Sequence, residues 1–362
     1  MTQNDLAQAR IKIDALDEQI QTLISQRARI AQEVAHIKER MGDSTGNHYR
    51  PAREAEVLRR AMQRNSGPLT DETIARLMRE IMSACLSLES PLKVAYLGPE
   101  GTYTQAAVLK HFGESVTARP ASTIDEIFRD VETGNADYGV VPVENSLGGI
   151  VSHTLDELAL TALRICGEVT LPIHHCLLSN EPSIEAITHI WSHQQSFSQC
   201  RKWLDTRLPK AEREAVASNA QAVLIAREKG GAAIAGQQTA KLYGMNILAS
   251  NIEDDPNNTT RFLIIGKHDP TPTGDDVTSL VLTAQRNTPG ALFKLLQPFA
   301  LENLDLTRIE SRPVKGAAVH DYYFFIDFRG HAHDARVQKV LEEVRAASAF
   351  FKVLGSYPTA PF

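Results

Sequence analysis

Basic residues are in deficit in this 362-residue chain: 38 Lys and Arg stand against 44 Asp and Glu, a formal net charge of -6. No cationic surplus is left to neutralise a phosphate backbone, so no nucleic-acid partner is expected. Cysteine is scarce as well. Cys85, Cys166, Cys176 and Cys200 have neither zinc-ligand nor redox spacing and read as reduced, small apolar residues. No run of about 18 apolar residues occurs, and the opening MTQNDLAQAR lacks an apolar signal core. No membrane association is therefore expected, and the cytoplasm is the default location. Glycine and proline are missing altogether from residues 3–41, until Gly42 and Gly46 break the pattern.

What fills that first stretch is a helical repeat: Leu6, Ile13, Leu16, Ile20, Leu23, Ile24, Ile30, Val34 and Ile37. A helix of this length spans roughly 60 Å at about 1.5 Å per residue. A domain of about 90 residues cannot cover it, so its apolar stripe is expected to be buried by a second copy of the chain. Residues 50–64 read as a shorter helix ended by Gly67-Pro68. A third helix starts at Thr70, with Asp71 and Glu72 in its first turn, and stops at Pro91.

From Lys93 the pattern changes to short buried strands at 94–98, 137–143, 174–179, 189–193, 232–235 and 260–266, separated by helical segments. A linker rich in Pro, Gly and Asp, 268–276, leads to strand 278–284, helix 289–301, strands 305–312 and 322–328, helix 334–348 and strand 351–356. That βαββαβ order is the ferredoxin-like plan. The expected division is 1–91, 92–268 and 277–362.

On a helical wheel of about 100° per residue, Arg27 and Lys38 fall inside the stripe defined by Leu16, Ile20 and Val34, and Arg10 falls at its edge. Cations within an apolar seam need an anion, either a protein carboxylate or a ligand, unless they snorkel outward. Residues 5–60 resemble the all-helical chorismate mutase family through Arg10, Arg27, Lys38 and Arg53-Glu54. The resemblance implies that Arg10 (from the partner subunit), Arg27 and Arg53 surround the dicarboxylate chorismate and that Lys38 binds its ether oxygen. The Claisen rearrangement is unimolecular, so a cage that holds the reactive conformer and stabilises the breaking C–O bond suffices. No metal or cofactor is expected. Glu89 stands where the family often has Gln; it can donate to the ether oxygen only when protonated, so mutase activity should rise on acidification. Arg50 stands where the family often has an acid, and Cys85 where it often has Ser.

In the central segment, YLGPEGTYTQ (96–105) and VENSLGG (143–149) each follow a strand, where α/β proteins build ligand sites. The first offers Thr102 and Thr104 at a helix start, the second Glu144, Asn145 and Ser146. Together with SHQQSFSQC (192–200), SNAQA (218–222) and NNTTRF (257–262), these runs resemble prephenate dehydratase over about 93–267, with Thr104 for a usual Ser and Gln194 for a usual Pro. The resemblance implies a two-lobed α/β fold similar to type II periplasmic binding proteins, with prephenate in the cleft near Thr102, Thr104, Glu144, Asn145, Ser146, Ser192, His193, Gln199, Thr260 and Arg261. Thr260 would protonate the departing hydroxyl. Thr is a weak acid, so a relay partner is expected, either Glu144 or His193. Arg261 either binds a carboxylate or organises its loop.

Residues 277–362 resemble an ACT regulatory domain through Gly290-Ala291-Leu292-Phe293 and Glu310-Ser311-Arg312-Pro313. The resemblance implies phenylalanine at a subunit interface, its carboxylate on free N–H groups after Pro289-Gly290 and its ammonium near Glu310. All three regions in this order resemble the bifunctional chorismate mutase/prephenate dehydratases. Two rivals stand beside that reading: a dehydratase whose helices only dimerise, and a non-enzymatic amino-acid sensor.

Overall fold

The stretch without glycine or proline forms one helix, α1 (Gln3–Arg40). A computed structural model describes residues 3–41, 49–285, 289–314 and 322–360. Gly42 and Gly46 lie outside the described residues. The chain divides into two compact units, Met1–Arg50 with Val57–Leu92 and Phe112–Thr117, and Pro51–Glu56 with Lys93–His111 and Ala118–Phe362.

In the first unit α1 meets α3 (Asp71–Ser87), and α2 (Pro51–Gln63) contributes its C-terminal part. Thr70 caps α3, its Oγ1 accepting from Thr73 N at 3.2 Å, and Asp71 and Glu72 complement the helix dipole. Leu58, Ala61, Ala75 and Cys85 are buried, yet the apolar stripe of α1 is not: Leu16, Ile20 and Leu23 are 55%, 53% and 63% exposed. The segment after α4 (Tyr103–Phe112) is stitched to α3, because Glu114 N and Ser115 N donate to Glu80 Oε2 and Ser83 Oγ at 3.0 and 3.3 Å.

The second unit holds three sheets. The first lobe contains β1 (Lys93–Leu97), β2 (Thr117–Ala121), α5 (Ile124–Thr133), β3 (Tyr138–Asn145), β4 (Gly149–Ile150), α6 (Ser152–Leu160) and β5 (Arg164–Pro172). The chain then crosses to the second lobe: β6 (Cys176–Ser179), β7 (His189–His193), α7 (Gln194–Gln199), α8 (Arg201–Arg207), β8 (Glu212–Val216), α9 (Asn219–Lys229), β9 (Ala232–Ala235), α10 (Gln237–Tyr243) and β10 (Asn246–Ala249). It returns as β11 (Thr259–Gly266), which inserts antiparallel between β3 and β5. The sheet orders are β2-β1-β3-β11-β5, with β4 on β3, and β10-β6-β9-β7-β8. The two crossings are tied together, Ile173 N donating to Asn258 O and Ile252 N to His175 O at 2.8 and 2.9 Å.

The third sheet follows the expected βαββαβ order: β12 (Asp276–Ala284), α11 (Ala291–Leu301), β13 (Leu306–Pro313), β14 (Tyr322–Arg329), α12 (Ala335–Ala347) and β15 (Ser348–Pro358), arranged β13-β14-β12-β15. Glu310–Pro313 forms the last residues of β13 and pairs with β14. One face of the sheet packs on α11 and α12 through Leu280, Leu282, Phe299, Phe328 and Val340. The other face, with Val281, Phe325, Leu354 and Tyr357, shares a core with Ile165, Leu155 and Leu158 of the first lobe. Contact there is backbone-close at Gly355, where a Cβ would run into the carbonyl oxygen of Ile165.

Candidate active site and neighbouring ion pairs

Adjacent strand residues point to opposite faces, and this alternation sets the geometry of the site. β11 and β3 pair Thr260 with Asn145 and Arg261 with Glu144. Thr260 and Asn145 line a cleft of about 410 Å³ between the lobes, along with Thr102, Thr104, His175, His193, Ser196, Gln199 and Asn219. Among the cleft-lining residues none is Lys, Arg, Asp or Glu, so polarity there comes from hydroxyls, amides, imidazoles and backbone N–H groups.

The orientation of the Asn145 amide is fixed by its surroundings. Its Oδ1 accepts from Leu147 N and Gly148 N at 3.2 and 2.7 Å, so Nδ2 must be the group facing Thr260. Nδ2 donates to Thr260 Oγ1 at 2.8 Å and also reaches Asn258 Oδ1 and Thr259 O at 2.8 and 3.0 Å. Thr260 Oγ1 is thus an acceptor in this contact, and its own hydrogen is left for the cleft. Ser146 is exposed and locks the loop, its Oγ accepting from Thr259 N at 2.9 Å.

Thr102 sits at the start of α4, its Oγ1 donating to Leu97 O at 3.0 Å and accepting from Gln105 N at 3.4 Å. Thr104 is buried. From the second lobe, Asn219 Oδ1 gathers Ser192 Oγ, Ser196 Oγ and His193 N, each at 3.0 Å. Ser192 itself is fully buried behind that cluster and is not a cleft-lining residue. His193 caps α7, and its Nδ1 accepts from Gln195 N at 3.3 Å, which leaves Nε2 to carry the proton in the neutral ring.

Sequence reasoning passed over Tyr103 and His175. Tyr103 Oη donates to His174 O at 2.7 Å and lies 3.2 Å from His175 Nδ1, while His175 Nε2 lies 2.8 Å from Gln199 Oε1. Burial pulls the His175 imidazole below its ordinary range, and burial also holds the Tyr103 phenol protonated. Burial pushes the Glu253 carboxyl up, but bonds from His174 Nδ1 (2.7 Å) and His175 N (2.8 Å) outweigh it and hold the group ionised. The adjacent pair His174-His175 ahead of an apolar run was the available signal; Tyr103 hid between two threonines, and Asn219 lay inside the noted SNAQA run.

Glu144 and Arg261 face away from the cleft, toward the third sheet. Arg261 Nε donates to Glu168 Oε2 at 2.7 Å, Nη1 to Asp327 Oδ2 at 2.8 Å and Nη2 to Tyr357 Oη at 3.0 Å. Burial opposes its charge, but Tyr357, Asp327 and Glu168 prevail and raise its pKa above the ordinary guanidinium value. Glu144 Oε2 pairs with Arg308 Nε at 3.2 Å. On the third sheet Gly290, Leu292 and Phe293 are exposed and Ala291 is half-buried at the start of α11. Along β13, Glu310 and Arg312 are half-buried, whereas Ser311 and Pro313 are exposed.

Within the first unit, Arg27 and Lys38 are half-buried on α1 and Arg10 is exposed. Cys85 is buried on α3, Glu89 is half-buried just beyond it, and Arg50 is exposed ahead of α2. Arg53 and Glu54 belong to the other unit; Arg53 is exposed and pairs with Glu56 at 2.5 Å, and Glu54 is half-buried.

Two α/β lobes enclosing a cleft of neutral donors, with a ferredoxin-like sheet docked on one lobe, define a class: a small-molecule enzyme carrying a regulatory module. The family model "Chorismate mutase type II" matches residues 9–90, "Prephenate dehydratase" 94–270 and "ACT domain" 278–346. A bifunctional chorismate mutase/prephenate dehydratase of Stutzerimonas stutzeri is 53% identical over 361 residues, covering 99% of this chain and 98% of that protein. The Pseudomonas aeruginosa protein of the same description is also 53% identical, covering 99% of each. A solved prephenate dehydratase of Arthrobacter aurescens in complex with L-Phe superposes with a TM-score of 0.68 at 36% identity, covering 74% of this chain and 90% of that one. The chain belongs to the bifunctional chorismate mutase/prephenate dehydratase family. Among the described residues, no helix is long and apolar enough to cross a membrane.

Proposed function

We propose that this chain rearranges chorismate to prephenate on its helical segment and converts prephenate to phenylpyruvate in the cleft, with phenylalanine at the ACT domain restraining the second step. The functional division follows 1–91, 92–268 and 277–362. The observation that carries the dehydratase reading is the locked Asn145 amide, which directs the Thr260 proton into the cleft. In the reaction the bond to the departing carboxylate breaks, and its electron pair enters the ring. The ring hydroxyl leaves as water on receiving a proton from Thr260, and CO2 is released. His193, at the cleft with Nε2 protonated, is the residue suited to resupply that proton. Neutral donors and the N–H groups at the start of α4 hold the carboxylates. Arg261 and Glu144, both turned toward the third sheet, have a structural role.

For the mutase reaction, Arg27 and the partner's Arg10 hold the dicarboxylate, and Lys38 takes the ether oxygen. The exposed apolar stripe of α1 favours a homodimer, which would bring that second Arg10. Full burial of a Leu or Ile side chain contributes about 1.5–3 kcal/mol. Even half of that for each stripe residue on two copies of α1 matches or exceeds most of the roughly 4–15 kcal/mol range for the cost of association.

The test follows ultraviolet absorbance with chorismate as sole substrate. Chorismate should disappear and phenylpyruvate accumulate. Conversion of added prephenate without consumption of chorismate would sink the mutase half and leave a dehydratase with dimerising helices; no turnover of either would favour the sensor.

A further inference from the structure

Arg308 has no part in the chemistry above, yet it reaches the strand that carries the cleft asparagine. On β13 the side chains of Arg308, Glu310 and Arg312 alternate with exposed Thr307, Ile309, Ser311 and Pro313, so these three share the inner face of the strand. Arg308 Nε pairs with Glu144 Oε2 at 3.2 Å, and its Nη1 lies 4.0 Å from Asp327 Oδ2. Arg312 Nη1 donates to Ser152 Oγ, and its Nε lies 3.9 Å from Asp156 Oδ1. In return the first lobe sends Arg261 to Asp327 of β14 at 2.8 Å. Each layer thus lends an arginine to the other, and the two pairs meet at the carboxylate of Asp327.

The crossed pairs sit directly behind the reacting residues. Glu144 precedes Asn145 and Arg261 follows Thr260, and the register sets Glu144 opposite Arg261 and Asn145 opposite Thr260. The same two backbone steps therefore carry the ion pairs on one face and the proton-donor pair on the other. Satisfaction of these arginines differs. Arg261 uses Nε, Nη1 and Nη2, whereas Arg308 Nη2 and Arg312 Nε are buried without a hydrogen-bond partner among the described residues. Buried donors without acceptors are costly, so a second setting of β13 that engages them is within reach, and a ligand that prefers one setting shifts the balance.

We propose that the Arg308–Glu144 pair, braced by Arg261–Asp327, is the coupling element through which occupancy of the Glu310–Pro313 face changes the alignment of Asn145 and Thr260. The proposal rests on the reading that phenylalanine binds the ACT domain. Arg308 is a positioning residue here; its charged partners Glu144 and Asp327 lie outside the cleft lining. If the pairs served docking alone, their loss would lower stability and leave the response to phenylalanine unchanged.

The test uses the full chain with Arg308→Met and Arg308→Lys. Phenylalanine binding is read by calorimetry and dehydratase turnover by phenylpyruvate formation across a phenylalanine titration, each variant referred to its own uninhibited rate. Mutase turnover in the same chain reports folding. Arg308→Met should bind phenylalanine within about threefold of wild type but require at least about tenfold more for half-inhibition, within the ordinary range of allosteric coupling. Arg308→Lys keeps the charge but cannot span Glu144 and Asp327 with one fork; it should shift half-inhibition by about threefold, and it decides the matter if Arg308→Met loses mutase activity through misfolding. Inhibition curves superimposable on wild type would overturn the proposal. A wild-type chain that neither binds nor responds to phenylalanine would overturn the ACT reading itself, together with everything resting on it, and that failure shows in the wild type rather than in the variants.

Discussion

In the cleft body, apolar residues such as Val140, Leu177 and Ile264 are completely covered by the chain itself, whereas on α1 Leu16, Ile20 and Leu23 are each more than half exposed. The polar groups differ in the same way. Asn145, Thr260, His175 and Asn219 each have a named partner within one chain, but Arg10 stands exposed on α1. One region covers its apolar residues within the single chain; the other leaves them exposed, as the proposed dimer requires. A site finished by folding survives dilution, and a site finished by association does not.

The sharpest way to separate the two regions is to disable each in turn. Thr260→Val keeps shape and removes the hydroxyl; dehydratase turnover should fall by about 10²–10⁴, with mutase turnover unchanged in the same preparation. Lys38→Met should give the mirror result. Either variant lowering both rates equally would mean that the two activities share a site. Next in size is association. Ile20→Asp places a charge in the α1 stripe and should shift the chain toward monomer in analytical ultracentrifugation. Mutase turnover should drop by about tenfold or more, as burying an unpaired carboxylate at the interface is prohibitive, while dehydratase turnover stays within about twofold. Full mutase activity in a monomer would break the comparison outright.

How much of this was legible in the sequence depends on burial. Central strands are apolar runs because both faces are covered, and 189–193 and 232–235 were read to the residue. The strands that went unread are β2, β5, β8 and β10, the edges of their sheets, and the two-residue β4, which pairs with β3. Edge strands tolerate charge and proline: Pro120 sits in β2, Glu212, Arg213 and Glu214 in β8, and Glu168 in β5, where Arg261 neutralises it. At the candidate site, Asn145 and Thr260 were legible because they follow or open buried strands. Tyr103 and His175 were not, since a hydrogen bond across 72 positions leaves no local periodicity. The opposite facing of Thr260 and Arg261 follows from strand alternation, but which of them faces the cleft depends on a sheet packed behind, and no local pattern encodes that.

The smallest effect comes from the cleft's buried imidazole and tests whether this region is as self-contained as its contacts imply. His175 has 1% exposure, and burial lowers its pKa from the usual 6.5. The unfolded chain therefore binds this proton more readily than the folded one, so stability is full above about pH 6.5 and declines as pH falls through the window between the unfolded and folded values. His175→Asn keeps a polar group near Tyr103 and Gln199 but cannot titrate. The variant should melt lower than wild type at pH 7.5, by a few degrees for about 1 kcal/mol of lost hydrogen bonding. The gap should narrow as pH is taken to 5.5, because only wild type carries the penalty of protonating this ring. Because all other histidines are common to both proteins, the difference between the two melting curves isolates His175. A gap of constant width from pH 7.5 to 5.5 would show that the ring accepts a proton where it sits and that the cleft yields more readily than its hydrogen bonds suggest.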